Sequence, residues 1–229
     1  MLKDPPILTI RREFKRPRRE LIAKLAETPT GHIVDALQGR GALEHHVKPV
    51  DPERASFVGA ALTCECGAND NLAIMAALVL AEPGDVIIAA CDGFAATAGV
   101  GDNLAMMAKN KGVAAVVTDG MARDREGIVA AGLPVFARGI TPNSCVRSGP
   151  GKLGFAIVCG GVAVEPGDIV LGDRDGVVVI PQAQLESVIA ALSEIRRMEE
   201  ETQKKIRAGM THLDSVAELL QSDRVAYVD

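Results

Sequence analysis

The chain has 229 residues, 48% of them hydrophobic but only 3% aromatic and none Trp, so a buried core must be built from Val, Ile, Leu and Ala. A formal charge of −5 argues against a nucleic-acid binder, which gathers a basic excess on one face. The five cysteines (Cys64, Cys66, Cys91, Cys145 and Cys159) are odd in number and include no C-x-x-C pair, which argues against a disulfide framework or a structural zinc site and fits reduced thiols in a cytoplasmic protein.

Residues 1–17 read as an extended arm, with Pro5, Pro6 and Pro17 opposing helix. The basic cluster Arg11, Arg12, Lys15, Arg16, Arg18 and Arg19 is interrupted by Glu13 and closed by Glu20, as in a solvated segment or a binding patch. No stretch here is apolar enough for a signal peptide, and no run in the chain approaches the ~20 apolar residues of a bilayer span, so no membrane partner is expected.

Leu21, Ile22 and Leu25 predict a helix over 18–27, and TPTGHIVDALQGRG restarts one, with Thr30 as its N-cap and Gly39 or Gly41 as its end. Residues 47–66 read as strands around an Asp51-Pro52 turn. An apolar helix is expected over 69–81, a strand at DVIIAAC, a helix over 102–111, a buried strand at GVAAVVTDG and a further strand at LPVFARGI. The string EPGDVIIAACDG at 82–93 returns as EPGDIVLGDRDG at 165–176, which reads either as repeated turn chemistry or as a duplicated ββ unit. Leu185, Val188, Ile189, Leu192 and Ile195 predict a long helix over 182–208. Its apolar stripe thins past Ile195, so it is expected to reach a neighbouring subunit. These elements divide into an arm (1–19), a body (20–181) and a C-terminal helical extension (182–229). Strands follow one another too often for a Rossmann sheet or a (β/α) barrel, so the expected fold class is α/β: a layered β/β/α sandwich with an N-terminal arm and a long C-terminal helix.

The chemistry concentrates in residues 99–126. A Gly-rich turn opens a helix at Asp102-Asn103, and a polar loop, Thr118 to Asp124, leaves the end of an apolar strand. A helix N-terminus beside a strand C-terminus makes a crevice in which backbone N–H groups suit a carboxylate and a fixed Arg suits bidentate binding. Asp102 and Asp124 offer hard oxygen ligands for Mg²⁺ or Mn²⁺. Spacing alone also allows plainer roles: Arg123-Asp124 as a surface pair and Asp102 as a helix cap. Gly99-Val100-Gly101 is too short for a nucleotide fingerprint.

GDNL (101–104), the strand that follows and TDGMARD (118–124) resemble the 4-hydroxy-4-methyl-2-oxoglutarate aldolases, a family homologous to the regulator of ribonuclease activity A, whose members have often been labelled dimethylmenaquinone methyltransferases. TPTGHIVDAL (28–37), GLPVFARGITPNS (132–144), GPG (149–151) and VEPGDIVLGDRDGVVVIP (164–181) match the same family style, so the resemblance covers roughly residues 20–200. It implies a swivelling, phosphohistidine-domain-like form of the sandwich and a divalent cation, Mg²⁺ or Mn²⁺. It also implies a small 2-oxo acid substrate, a homotrimer or homohexamer, and oxaloacetate decarboxylation as a side activity.

By the same resemblance Asp124 binds the metal directly, while Arg123 holds the substrate and its developing enolate oxygen. Gly101, Asp102, Asn103 and Leu104 meet the pyruvyl carboxylate, and Asp102 holds waters. Glu199 of a neighbouring subunit completes the outer shell, with Glu200 and Glu201 as substitutes. The chain departs from the pattern at Gly127, where the family often has an acid; the nearest acid is Glu126. The family also contains a non-catalytic regulator branch, typically more compact than a chain with this arm and helix.

Other residues admit weaker assignments. Asn143 and Arg147 could grip the distal carboxylate of a diacid. His32 could line the site or only pack. His45 and His46 suit a surface, His212 the periphery, and Cys145 has no base nearby in sequence to make it a nucleophile.

Overall fold

Long aliphatic runs with no polar alternation demand a sheet covered on both faces. The computed structural model describes residues 6–228, so Pro5 of the arm lies outside the described residues. The chain opens with β1 (Leu8–Ile10), α1 (Arg19–Ala23), α2 (Thr30–Ala36), β2 (Lys48–Pro49) and β3 (Phe57–Glu65). Then come α3 (Leu72–Leu80), β4 (Asp85–Ala90), β5 (Ala98–Val100), α4 (Asp102–Asn110), β6 (Ala115–Thr118), β7 (Met121–Ala122) and α5 (Arg125–Ala131). The second half holds β8 (Val135–Ala137), β9 (Gly139–Ile140), β10 (Gly151–Leu153), β11 (Ile157–Cys159), β12 (Val162–Val164), β13 (Ile169–Asp173), β14 (Gly176–Ile180), α6 (Leu185–Arg207) and α7 (Asp214–Leu220).

The main sheet runs β1-β10-β3-β4-β6-β8-β2, and β3, β4, β6 and β8 form its parallel core. β3 branches. One edge pairs with β4 over Ala60–Glu65, while the other pairs antiparallel with β13 over its first residues and with β10 over its last. The two faces of the sheet follow the period of the strands. Ile87 and Ala89 of β4 face α3, α4 and α5, whereas Val86, Ile88 and Ala90 face the hairpins β11–β12 and β13–β14. The outer side of β13–β14 carries Ile169, Leu171, Val178 and Ile180 against Ile33 of α2, Leu37 just after it, and Leu185, Val188 and Leu192 of α6. Burying each such side chain contributes about 1.5–3 kcal/mol. The fold is therefore mixed α/β and layered, with a long C-terminal helix. Among the described residues, no helix is long and apolar enough to cross a membrane.

Several local expectations are corrected. The helix expected over 18–27 is confined to Arg19–Ala23, because the chain turns at Glu27, with φ +59, ahead of Pro29. Thr30 is the first residue of α2, not its cap. Asp173 at the end of β13 does the capping, accepting from Thr30 N at 2.8 Å and Thr30 Oγ1 at 2.9 Å. LPVFARGI divides at Arg138 into two strands of different sheets.

EPGD is repeated turn chemistry, not a duplicated ββ unit. In each copy the Asp carboxylate accepts from the Glu N–H three residues earlier (Asp85 to Glu82 and Asp168 to Glu165, 2.9 Å each). β4 then joins a parallel ladder, while β13 makes a hairpin with β14. The arm is strapped down: Arg16 clamps the buried Asp85 through Nε and Nη2, each at 2.8 Å. Beyond Leu192, no described residue is buried.

Candidate active site

A second, three-stranded sheet, β5-β7-β9, builds the site. β5 and β7 are parallel neighbours, with Val100 opposite Ala122, and each runs straight into a helix, α4 or α5. This geometry sets Gly101 beside Arg123 and Asp124, and Arg123 N donates to Val100 O at 2.9 Å. A Cβ at Gly101 would stand 3.1 Å from Asp124 Oδ2 and 3.5 Å from Arg123 Cγ, so glycine lets both side chains lie along bare backbone. Asp124 precedes α5 in the left-handed conformation (φ 58, ψ 48), which Asp and Asn tolerate better than other side chains.

Arg123 Nε meets Asp124 Oδ2 at 3.0 Å, and Arg123 Nη1 donates to Ser144 Oγ. Asp102 opens α4, where its Oδ1 accepts from Asn103 N at 2.6 Å. Its side chain lies over Gly127 of α5, where an added Cβ would come 2.6 Å from Asp102 Oδ2. The N–H groups of the first turn of α4 and the positive end of its dipole favour an anion at this point.

The opposite wall belongs to the N-terminus of α3. Asn71 is buried; its Nδ2 donates to Gly99 O at 2.9 Å and its Oδ1 accepts from Arg147 Nε at 3.2 Å. Between the walls lies a crevice of about 110 Å³, suited to a small acid and too small for a dinucleotide. Cys145 lines it. Burial pushes this thiol up from its ordinary value, while Arg147 and Arg123 nearby pull it weakly the other way.

The residues expected from sequence, Gly101, Asp102, Asn103, Leu104, Arg123 and Asp124, line this one crevice. Arg147 joins them, but Asn143 does not: its Nδ2 is spent on Ala96 O at 3.0 Å. Glu199 lies on the exposed part of α6, accepts from Gln203 Nε2 at 2.9 Å and does not line the crevice of its own chain. His32 sits on α2, whose buried side faces α6 and the β13–β14 hairpin, so it does not line the crevice either. His45 and His46 are exposed, with ring centroids 3.8 Å apart, and His212 is exposed beside Thr211.

Asn71, Met75 and Ser144 line the crevice without having been singled out in the sequence. Only the Asn start of α3 gave a local hint, because the approach of α3 to β5 is tertiary. The buried carboxylate Asp119 belongs to the scaffold; burial raises it, and it takes the N–H of Cys91 at 2.6 Å.

No group of three His, Cys, Asp or Glu side chains converges among the described residues. Asp102 and Asp124 both line the crevice and carry hard carboxylate oxygens. Oxygens of this type suit a cation such as Mg²⁺, which binds through one or two carboxylates and keeps its other positions for water and ligand, better than zinc.

A sequence model of the RraA-like family, described as Aldolase/RraA, matches residues 30–179. A protein of Halalkalibacterium halodurans, named provisionally as a 4-hydroxy-4-methyl-2-oxoglutarate aldolase, is 40% identical over 170 residues, 74% of this chain and 80% of its own. Among solved structures, RraAS2 of Streptomyces coelicolor, described as an unusual member of the RNase ES inhibitor RraA family, superposes with a TM-score of 0.74 at 27% identity, covering 83% of this chain and 100% of that one. The RNA-processing inhibitor RraA of Thermus thermophilis gives 0.62 at 31% identity, covering 68% and 93%. The match over the strands and helices that build the crevice places this chain in the RraA-like family of aldolases and RraA proteins.

Proposed function

We propose that this chain is a divalent-metal-dependent lyase of the class II pyruvate aldolase type. It would cleave 4-hydroxy-4-methyl-2-oxoglutarate or 4-carboxy-4-hydroxy-2-oxoadipate to pyruvate plus pyruvate or oxaloacetate, with oxaloacetate decarboxylation as a side activity. The observation that carries the reading is the meeting of Arg123, Asp124 and the first turn of α4 in one small crevice. The name of the Halalkalibacterium relative supports the same chemistry.

Asp124 would hold the cation, with Asp102 and Glu199 of a neighbouring subunit around it in a homotrimer or homohexamer. When bound, the cation supplies a Lewis acid for the 2-oxo and carboxylate oxygens. The backbone N–H groups from Gly101 to Leu104 would receive the pyruvyl carboxylate, that of Asn103 on release from Asp102 Oδ1. Asp102 orients the water that takes the proton from the C4 hydroxyl. The C3–C4 bond then breaks, the C4 oxygen becomes a carbonyl, and the bonding pair moves onto the C3–C2–O system as an enolate. The Arg123 guanidinium would face that enolate oxygen and stabilise its charge, an electrostatic contribution worth about 10²–10³ in kcat. A proton returned to C3 yields pyruvate.

Pyruvate release from both substrates and from oxaloacetate, with Mg²⁺, with Mn²⁺ and with EDTA, tests the reading in wild type and Asp124→Asn. Metal-dependent release that disappears in the variant is the expected result. Release unaffected by EDTA or by the variant would sink it. The likeness to the two RraA proteins supports a second reading, a protein-binding regulator of a ribonuclease. It predicts ribonuclease inhibition by both wild type and Asp124→Asn, with no lyase activity in either.

A further inference from the structure

We propose that Cys66 and Cys91 are an oxidisable dithiol, a modification site at the C-terminal ends of β3 and β4 that a hydroperoxide converts to a reversible disulfide. The inference does not depend on the lyase reading. β3 and β4 are parallel neighbours whose last paired residues are Glu65 and Ala90. Cys66 N carries that ladder on by donating to Ala90 O at 2.9 Å, so Cys66 and Cys91 form the next rung. Side chains alternate across a sheet, which puts Cys66 on the face of Cys64 and Cys91 on the face of Ala89. Cys64 and Ala89 stand opposite each other, and all four side chains pack in the same helix-covered half of the core. Neighbouring strands lie about 4.8 Å apart, inside the Cα separation of about 4.4–6.8 Å that a disulfide spans. The ladder also ends here. Cys91 N turns away to Asp119 Oδ1, and the two strands leave the sheet toward Gly67 and Gly93, so their ends are free to draw together.

The two sulfurs are chemically unequal. The interaction between the thiols is the largest influence on each: it lowers Cys91 from the ordinary thiol value and raises Cys66. Burial opposes the lowering at Cys91 and adds to the rise at Cys66. Thr118 Oγ1 lies 3.5 Å from Cys91 Sγ and accepts from Gly120 N at 3.0 Å, which leaves its hydroxyl proton for the sulfur. Cys91 is therefore the attacking thiol and Cys66 the resolving one. With hydrogen peroxide, the Cys91 thiolate attacks one oxygen; an S–O bond forms, the O–O bond breaks, and the departing hydroxide takes up the proton that Cys91 released. Cys66 then attacks the sulfenic sulfur; the S–S bond forms, the S–O bond breaks, and the hydroxide leaves with the Cys66 proton as water. Two thiols and one peroxide thus give one disulfide and two waters, with two electrons passing from sulfur to oxygen. Access favours the same pair. Cys66 and Cys91 are 5% and 7% exposed at the edge of exposed loops, within reach of a water-sized oxidant. Cys64 and Cys159 are 0% exposed with their thiols turned to backbone carbonyls, and Cys159 lies on the other face of the sheet.

The test treats the native full chain with a small excess of hydrogen peroxide, blocks the remaining thiols by alkylation in denaturant, and cleaves after glutamate. Cleavage at Glu65 and Glu82 puts Cys64, Cys66 and Cys91 on separate peptides. The peptides carrying Cys66 and Cys91 should be recovered joined, with the free thiols reduced by two from the starting five, and dithiothreitol should restore all five. Recovery of Cys66 and Cys91 as separately alkylated peptides overturns the proposal. So does Cys91 recovered as a sulfinic acid beside a free Cys66, or pairing of either with Cys64, Cys145 or Cys159 as readily as with each other. Two variants check the order of events without bearing on whether the bond forms in wild type. In Cys66→Ser, Cys91 should remain as a sulfenic acid that dimedone captures, whereas Cys66 in Cys91→Ser should stay unlabelled. Labelling of Cys66 in place of Cys91 overturns the assignment of the attacking thiol.

Discussion

Gly127 of α5 faces Asp102 of α4 at such close range that a Cβ on the glycine would stand 2.5 Å from the Asp102 Cβ and 3.0 Å from its Cγ. The absence of a side chain at 127 is therefore matched to the presence of one at 102. The acid that the family resemblance implied at 127 has no room here while Asp102 keeps its position.

This pair predicts a sign reversal. Gly to Ala inside a helix ordinarily gains about 0.5–1 kcal/mol. Gly127→Ala should instead lose about 1–3 kcal/mol, because the new methyl group displaces Asp102 or separates the helices. Adding Asp102→Gly should recover most of that loss. Urea unfolding of the two single variants and the double variant measures the coupling; additive losses would refute the contact.

Asp124 separates chemistry from backbone strain. Its φ of 58 is tolerated by Asn, whereas Ala there costs about 1–2 kcal/mol. Asp124→Asn and Asp124→Ala should both abolish metal-stimulated turnover, and only the alanine variant should also lower the denaturation midpoint.

Cys145 is the one cysteine that is not buried. It should be alkylated first, and a ligand in the crevice should protect it. Because burial raises its pKa, its thiolate appears only at higher pH than an ordinary thiol near ~8.5, so the alkylation rate should still be climbing where a free cysteine has levelled off. Peptide mapping after timed alkylation across pH reads both effects.

Arg16 should matter to stability out of proportion to its place in a terminal arm. Arg16→Met leaves the Asp85 carboxylate, 2% exposed, without its bidentate partner. Removing one member of a buried pair costs about 3–5 kcal/mol. Arg12→Met should change the unfolding free energy by less than about 0.5 kcal/mol.

The parts of this architecture that the sequence made legible are those with long, uninterrupted patterns. β3, β4 and β6 are aliphatic runs, and α4 and α6 carry a stripe at helical spacing. α5 escaped notice because Ile128 and Ala131 are its only buried residues. β10, β11 and β12 have three residues each, too few to display a period of two. The crevice followed the same rule. Gly101 to Leu104 and Arg123-Asp124 stand at the ends of readable elements. Asn71 and Met75 reach it from α3 through packing that no local pattern encodes. Asn143 and Arg147, four residues apart, looked equivalent in the sequence; the loop geometry sends one to Ala96 and the other to the crevice.

The branching of β3 has a kinetic consequence. Its first residues wait for Ile169–Gly172 and its last for Lys152–Leu153, partners roughly a hundred positions downstream. At about 5–20 residues per second, the strand at the heart of the sheet emerges from a ribosome on the order of ten seconds before its second edge can close. Contacts so distant in sequence also slow folding from a denatured state. During that interval the unpaired edge of β3 is the surface most open to pairing with a strand of another chain.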